Sequence, residues 1–406
     1  MRILIYSLNF SPELTGTGKY TGEMAYWLAS KGHSVRVVTT PPYYPKWSIF
    51  PGFRNFWSVS VDSGVKIYRC PVYVPSSDSG LRRIMHLISF SIFSFPVMLW
   101  QLTWKPDVIW GLEPTLASAP TTWITARLSR AKCWLHVQDF EVDMAYEMNL
   151  LRWGWLQRLA FGLERFLMYR FDRVSTISSA MRTKLLQKGV RMNSLCNFPN
   201  WADIAGIYPL SRPSTFRKTL SIAEGDQVAL YSGNMGHKQG LELLVETARL
   251  IEKSIPYVRF ILCGEGSAKD DLMRSASRLS NIIWLPLQPI EQLNELLNLA
   301  DLHILPQRAD AADLVMPSKL TNMLASGRPV IATAHKDTEL FNVVKGCGLV
   351  IPPENCDALI LAIQQLVEDD KLRARLGHAA RRYAENNLAK ITILNQFESD
   401  LEGLCQ

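Results

Sequence analysis

Val228-Ala229-Leu230-Tyr231-Ser232-Gly233-Asn234-Met235-Gly236-His237-Lys238-Gln239-Gly240 is a short apolar run that breaks into a glycine-rich turn and gives way to a helical pattern over 239–253. Near-continuous runs of this kind are what a strand buried on both faces of a parallel sheet requires. Downstream the pattern repeats at 258–263, 282–285, 302–305, 330–332 and 349–351, with helical stretches such as 289–299 between the runs. Upstream it occurs at 3–6, 35–39, 65–68, 108–110, 133–137 and 174–177. Strand–helix alternation, twice over, predicts two doubly wound α/β domains in tandem. Prolines and polar residues interrupt both periods from Phe198 to about Pro213. The expected division is a Rossmann-like domain over 1–200, a second over 201–385, and a C-terminal helix over 386–406 packing back on the first. Such sheets bind ligands at the carboxyl ends of their strands, so the two domains are expected to face one another across a cleft.

Composition agrees with a folded, two-domain chain. Of 406 residues, 48% are hydrophobic and 20% charged, which excludes disorder, collagen and a small disulfide scaffold. Lys plus Arg number 44 against 37 Asp plus Glu, a net charge of +7. That excess favours an anionic partner without choosing between nucleic acid, nucleotide phosphate and membrane. No recognised nucleic-acid motif accompanies the charge, so nucleic acid is not expected as a partner. The seven cysteines include no CxxC pair and no metal-ligand spacing, as expected of a reduced, cytoplasmic chain. The apolar run at the N-terminus is too short for a secretory signal.

Two segments depart from the α/β texture. Between Arg83 and Lys105 there is no Lys, Arg, Asp or Glu, and the 21 residues of 84–104 would just span a bilayer as a helix. His86, several serines, Pro96 and Gln101 dilute that run. A membrane span, a helix lying on a membrane surface and an ordinary buried helix all fit it. The second segment, 150–170, interleaves Trp153, Trp155, Phe161, Phe166 and Tyr169 with Arg152, Arg158, Arg165 and Arg170. Trp153, Trp155, Arg152 and Arg158 suit an anionic headgroup layer; an amphipathic helix with a solvated basic face is the plainer alternative. Together the two segments point to peripheral membrane contact.

Several glycine turns sit where strands lead into helices. Ser11-Pro12-Glu13-Leu14-Thr15-Gly16-Thr17-Gly18-Lys19-Tyr20 follows the first strand and precedes a helix through about Ser30. Gly16, Thr17 and Gly18 let backbone N–H groups approach a phosphate, although a tight strand–helix turn needs glycine equally. The spacing is neither GxGxxG nor a P-loop. In the second half, Gly233, Asn234 and Gly236 precede Lys238, whose ammonium suits a diphosphate, and Gly264 and Gly266 form another turn at a strand end. Asp313-Leu314-Val315-Met316-Pro317-Ser318-Lys319-Leu320 reads as a loop and then a helix starting at Pro317, an anion cradle of free N–H groups. Glu265, between two glycines, reads as a turn residue.

Here a resemblance becomes specific. Pro317-Ser318-Lys319-Leu320-Thr321-Asn322-Met323-Leu324-Ala325-Ser326-Gly327-Arg328-Pro329-Val330-Ile331-Ala332 resembles the donor-binding segment of the family-four retaining glycosyltransferases, whose GT-B fold is two facing Rossmann-like domains. Residues 236–240 resemble that family's lysine-glycine element, and Gly32-His33-Ser34-Val35 its acceptor-side start. The resemblance covers essentially the whole chain. It implies that Lys238 binds the donor diphosphate with Ser318 and Lys319 assisting, and that Gly16, Thr17 and Gly18 form a loop over phosphates and acceptor. It implies further that Leu287 and its neighbours line the base pocket, and that Asp139, with His136 beside it, stands near the reacting sugar carbon. More narrowly, 11–20, Pro41-Pro42-Tyr43-Tyr44-Pro45 and His136-Val137-Gln138-Asp139 resemble members that build colanic acid-type exopolysaccharide, which implies fucose from GDP-fucose as donor. Two features depart from the family. Asn234 and His237 occupy the stretch where its arginine stands, and Asn322 replaces the glutamate that holds the donor ribose, with Asp313 the nearest acid. An amide can still bond a ribose hydroxyl.

The implied reaction is a hexosyl transfer with retention of configuration from a nucleotide-sugar to an acceptor hydroxyl. Positive charge and oriented N–H groups are needed where the leaving diphosphate gathers charge. Lys238, Lys319, the 233–236 turn and the Pro317 helix start would supply them, without a metal ion or other cofactor. Asp139 or His136 would position the sugar or steady its positive charge. As alternatives, Asp139 and Glu141 suit caps on a following helix, and His136 suits a buried strand residue. The membrane features fit a sugar on a polyprenyl diphosphate at the inner face of the plasma membrane as acceptor. Two rival readings stay open: a non-catalytic module that binds nucleotide-sugar or lipid, and a nucleotide-sugar epimerase.

Overall fold

A computed structural model describes residues 1–14, 16–75, 80–113, 115–143, 154–309, 317–336 and 338–406, with the backbone alone at 80, 115, 156 and 238. The chain divides into two units, one of Met1–Pro199 with Ile393–Gln406 and one of Asn200–Thr392.

The first unit is built on eight strands: β1 (Arg2–Tyr6), β2 (Ser34–Thr39), β3 (Ser58–Asp62), β4 (Val65–Arg69), β5 (Val108–Leu112), β6 (Lys132–Val137), β7 (Arg173–Thr176) and β8 (Leu195–Asn197). Their order is β3-β4-β2-β1-β5-β6-β7-β8, parallel except where β3 runs antiparallel to β4. Ile3, Leu4, Ile5 and Tyr6 of the central β1 are all fully buried, which is why the apolar run is unbroken. The strand order reverses between β1 and β5, the switch point at which open α/β sheets hold ligands. At the far end of the sequence the Lys390–Cys405 helix joins this core. Phe397 stacks on Phe198 at 4.3 Å and meets Trp134 edge-on at 5.0 Å, and His33 Nε2 pairs with Glu398 Oε1 at 2.8 Å.

Two strands escape the sequence pattern. Every residue of β3 is exposed, so burial left no mark on its composition. It joins β4 through Ser63 and Gly64, both at positive φ, the backbone that a two-residue hairpin needs. At the other edge β8 is only three residues long.

Three helices of this unit lie side by side, with Thr115–Ser129 between Gly80–Trp100 and Gly154–Tyr169. The first is inside out. Its buried stripe is His86, Phe90, Ser94 and Met98, at the four-residue spacing of one helix face. Polar groups on that stripe dock the helix: Ser94 Oγ and Tyr6 Oη pair at 2.6 Å, and His86 Nε2 pairs with Tyr43 Oη at 2.9 Å. Leu81, Ile84, Met85, Ile88 and Ile92 point to solvent instead. Length and composition over Leu81–Trp104 would suffice to cross a membrane, but the helix is packed along one stripe against its own sheet. The Gly154–Tyr169 helix likewise exposes Trp155, Leu159, Leu163 and Phe166, with Arg158 and Arg165 interspersed.

The second unit has six parallel strands: β9 (Gln227–Ser232), β10 (Val258–Cys263), β11 (Ile282–Leu285), β12 (Leu302–Leu305), β13 (Val330–Thr333) and β14 (Gly348–Ile351). Their order, β11-β10-β9-β12-β13-β14, is the 3-2-1-4-5-6 order of a dinucleotide-binding sheet. Its switch point falls between β9 and β12. One core face packs Tyr231, Leu244, Phe260 and Ile363, and another packs Leu320, Leu324, Val330 and Ala380.

Candidate functional site

The carboxyl ends of β9 and β10 are locked backbone to backbone. Gly233 N–H donates to the Cys263 carbonyl at 2.9 Å, Met235 N–H to the Glu265 carbonyl at 2.8 Å, and Ala268 N–H to the Met235 carbonyl at 2.9 Å. A Cβ on Gly264 would fall 1.9 Å from the Gly233 oxygen, and one on Gly266 would fall 2.4 Å from the Met235 carbonyl. Only glycine permits that approach. The glycines are therefore needed to interleave two turns, whatever they also do for a ligand. Glu265 is exposed and paired with Lys269 at 2.8 Å, as a turn residue.

Lys319 is set against this knot. A Cβ on Gly233 would lie 2.9 Å from Lys319 Nζ, which donates to Tyr231 Oη at 2.8 Å. Tyr231 Oη in turn donates to the Asn234 carbonyl at 2.5 Å. Burial pushes the Lys319 amine down to about 8, and among the described residues no carboxylate offsets that shift. The lysine occupies the first turn of the Ser318–Ala325 helix, where backbone N–H groups lack helical acceptors. Pro317 is the N-cap residue, so the helix begins one residue later than the sequence reading placed it. Ser318 is exposed at the helix start, and one turn on, Asn322 Oδ1 is buried without a hydrogen-bond partner. Gly233, Gly264, Gly266 and Lys319 are thus brought together, with Asn234 joined through Tyr231.

Other expected donor residues stand outside that knot. Lys238 lies in a single 3-10 turn, His237–Gln239, between Gly236, whose N–H donates to Gln239 Oε1 at 3.1 Å, and Gly240 at φ 62°. Its side chain lies outside the described residues, as do Asp313, Arg152 and Trp153. Leu287 is exposed just beyond β11, at the edge of the sheet.

In the first unit the helix begins at Gly16 itself, so Gly16, Thr17 and Gly18 form its first turn and not a loop ahead of it. Gly16, at φ +61°, is exposed. Gly18 has a packing reason: a Cβ there would strike Glu13 Oε2 at 2.6 Å. Glu13 is buried beneath this helix start. Its Oε1 accepts from the Tyr43 and Tyr44 N–H groups at 2.9 Å each, and its Oε2 from Asn9 Nδ2 at 2.9 Å. Arg69, also buried, ties the Ser11 and Thr40 carbonyls together at 2.7 and 2.8 Å.

His136 is enclosed, not presented to a substrate. It is 1% exposed, stacks on Trp110 at 5.4 Å, and pairs through Nδ1 with Ser175 Oγ at 2.8 Å. Gln138 Nε2 donates to its Nε2 at 3.1 Å. Burial pushes its pKa down to about 3, so the ring stays neutral. The expectation that His136 touches the reacting sugar gives way to a positioning role, because both ring nitrogens are engaged inside the core.

Asp139 is exposed just past β6, and here the sequence reading missed its neighbour. Glu113, just past β5 at the switch point, is buried, and its carboxyl accepts from the N–H groups of Asp139 and Gln138. Burial, then the charges of Asp139 and Glu141, raise the Glu113 pKa well above the carboxylate range. Glu113 Oε2 is buried without a hydrogen-bond partner. Burial also pushes Glu141 up to about 8, against the opposing pull of Arg83 and with Asp139 adding to the rise. A buried carboxyl thus underlies the loop that presents Asp139. The clue was the acid of Leu112-Glu113, at a strand end beside the Asp139 strand.

Comparison with known proteins agrees with this layout. Residues 15–201 match a model described as a glycosyl transferase 4-like domain, and residues 214–383 one described as glycosyl transferases group 1. The chain is 40% identical, over 99% of its length and all of the relative's, to WcaI of Escherichia coli (strain K12), named as a colanic acid biosynthesis glycosyl transferase. It is 24% identical over 78% of its length, and 79% of the relative's, to WbjE of Pseudomonas aeruginosa, named as a glycosyltransferase. Among solved structures, sucrose-phosphate synthase of Thermosynechococcus elongatus superposes with a TM-score of 0.75 at 17% identity, covering 99% of this chain and 98% of that one. Anabaena HepE in complex with UDP and glucose superposes with a TM-score of 0.71 at 18% identity, covering 99% and 100%. These two likenesses speak to the fold alone.

Proposed function

The chain belongs to the family-four glycosyltransferases of GT-B fold, and from that premise we propose that it transfers a hexose, with retention of configuration, from a nucleotide-sugar to a lipid-linked acceptor. The product is an exopolysaccharide of the colanic acid type, the donor GDP-fucose, and the place of work the inner face of the plasma membrane. The observation that carries the donor half of this reading is Lys319, a desolvated ammonium set against interlocked glycines at the switch point, with no carboxylate offsetting its shift among the described residues. Such a site suits an anion.

The leaving group is a nucleoside diphosphate, so the barrier falls most where fixed positive charge meets its developing negative charge. Lys319 and the free N–H groups of the Ser318–Ala325 helix supply that charge, and Lys238 adds to it from the following 3-10 turn. The buried Asn322 Oδ1 accepts from a ribose hydroxyl in place of a carboxylate. The acceptor hydroxyl attacks on the face the diphosphate leaves, and the departing phosphate oxygen takes its proton. Asp139 steadies the positive charge on the sugar, and buried Glu113, accepting from the Asp139 N–H, holds that backbone in place. This set of cations and N–H groups carries out the reaction without a metal ion. The inside-out helices of the first unit support a membrane-borne acceptor, since apolar residues with interspersed arginines match an anionic headgroup layer.

Thermal melts of purified protein with GDP-fucose, GDP-mannose, UDP-glucose and UDP-galactose test the donor assignment. A ligand bound only by the native state raises Tm with its concentration. Guanine nucleotides should shift Tm and uracil nucleotides should not, and K319M should abolish both the shift and sugar transfer. A shift with UDP-sugars alone rejects the guanine donor; an unaltered shift in K319M rejects the phosphate role.

A further inference from the structure

Of the two edges of the first unit's sheet, β8 is three residues long, while β3 runs for five and exposes every one of them. We infer that β3 is the seam of a homodimer, pairing antiparallel with β3 of a second copy about a twofold axis at Ser60. Sheet edges left to water are usually blunted by lysine, proline, a bulge or shortness. β8 is blunted by shortness. β3, Ser58-Val59-Ser60-Val61-Asp62, holds no lysine and no proline, and its register with β4 runs without a bulge. Its one charge is turned back on its own chain, Asp62 Oδ2 accepting from Tyr26 Oη at 2.7 Å.

The backbone fits a strand partner. A two-residue turn closes on a hydrogen-bonded pair, here Asp62 and Val65. Bonding direction alternates along a strand, so Ser58 and Ser60 also face β4. The N–H and C=O groups of Val59 and Val61 therefore point outward, where no other strand lies among the described residues. About an axis at Ser60, Val59 meets the partner's Val61 and Val61 meets the partner's Val59. Both are then hydrogen-bonded pairs, each exchanging two backbone bonds. Ser58 meets the partner's Asp62, so no charge faces its like.

The side chains are self-complementary as well. Val59 stands opposite Tyr68 and so shares its sheet face, on which Trp100 meets Tyr68 edge-on at 5.9 Å and Phe93 meets Trp57 edge-on at 5.8 Å. Phe93 and Trp100 are seven residues apart, on one face of their helix. Trp57, Val59, Val61, Phe93 and Trp100 are all exposed. A twofold axis perpendicular to the joined sheet keeps both Gly80–Trp100 helices on the same side, so one apolar strip runs through the seam. A bilayer could cover that strip, but it would leave the outward groups of β3 without partners in hydrocarbon. A second β3 satisfies them.

Sedimentation velocity of the full chain over a dilution series should show a reversible monomer–dimer equilibrium. V61P removes an outward N–H and spares the β3–β4 ladder, and V59K/V61K sets lysine against lysine across the seam; each should weaken association at least ~tenfold. V59K/V61E sets lysine against glutamate in the same register and should restore association, which loss of apolar surface alone cannot do. The register has its own probe. Ser60 meets the partner's Ser60 as a non-hydrogen-bonded pair, ~4.5 Å between Cα atoms and within reach of a disulfide. Oxidised S60C should therefore give a covalent dimer that peptide mapping finds joined at that position. In S58C the two substituted positions stand about 14 Å apart along the strands and should stay unjoined. Protein that is monomeric at every concentration overturns the inference. So does a dimer of unaltered strength in both V61P and V59K/V61K, which places the interface elsewhere. Equal joining in S58C and S60C overturns it too, by denying the register. Should V61P fail to fold, the lysine–glutamate exchange and S60C still decide.

Discussion

Lys319 holds an ammonium where a neutral side chain would be more stable. In the unfolded chain its amine titrates near 10.5, in the native protein at about 8. Between those values the unfolded chain binds more protons than the native one, so stability rises with pH across that window. Below about 8 both states are charged and the cost of burial is present in full. K319M should therefore raise Tm by roughly 2–4 °C at pH 7 in the absence of nucleotide, with the gain shrinking toward pH 10. Paired melts of wild type and variant over that range measure it, and a variant less stable than wild type at pH 7 contradicts it. The helix start that holds the lysine was legible in the sequence because a proline marks it, a purely local pattern, whereas the lysine's role was what the family resemblance implied. Glu113 was not legible, since its partner Asp139 is brought near by the pairing of β5 with β6. His136 left two readings open for a related reason: a histidine beside an acid looks alike in sequence whether or not Trp110 and Phe198 cover it.

The inside-out helices set the expectation at the next scale. An apolar stripe that faces solvent along Trp155, Leu159, Leu163 and Phe166 repeats every three to four residues, the spacing of a single helix face. Replacing Trp155, Leu159 and Phe166 with serine should leave the fold intact, because none of the three is buried. It should lower co-sedimentation with anionic vesicles at least tenfold, given about 1.5–3 kcal/mol per large apolar side chain removed from water. Wild-type sedimentation of the triple variant would clear this face of membrane contact. The strands were read well wherever burial on both faces leaves no polar interruption, as in β1, β9 and β10. Exposed β3 and three-residue β8 carry no such signal. Helix starts slipped by a few residues at Gly16 and by one at Pro317, where glycine and proline mark a boundary without fixing which side of it they occupy.

Across the whole molecule, the first unit is completed by residues from the far end of the chain. Phe397 is buried against Phe198, Trp110 and Trp134. F397A should cost about 3–5 kcal/mol, seen as an earlier denaturation midpoint in tryptophan fluorescence, to which Trp110 and Trp134 contribute. An unchanged midpoint would mean that the helix is dispensable to the first sheet. The second unit, Asn200–Thr392, is in sequence an insertion into the first. That ordering has a consequence during synthesis. The domain that leaves the ribosome first is the last to be finished, because its closing helix emerges only after the inserted domain has been translated, on the order of 10–40 s later at ~5–20 residues per second. Over that interval the aromatic faces of Trp110, Trp134 and Phe198 lack their final cover, and the nascent chain is at its most dependent on chaperones.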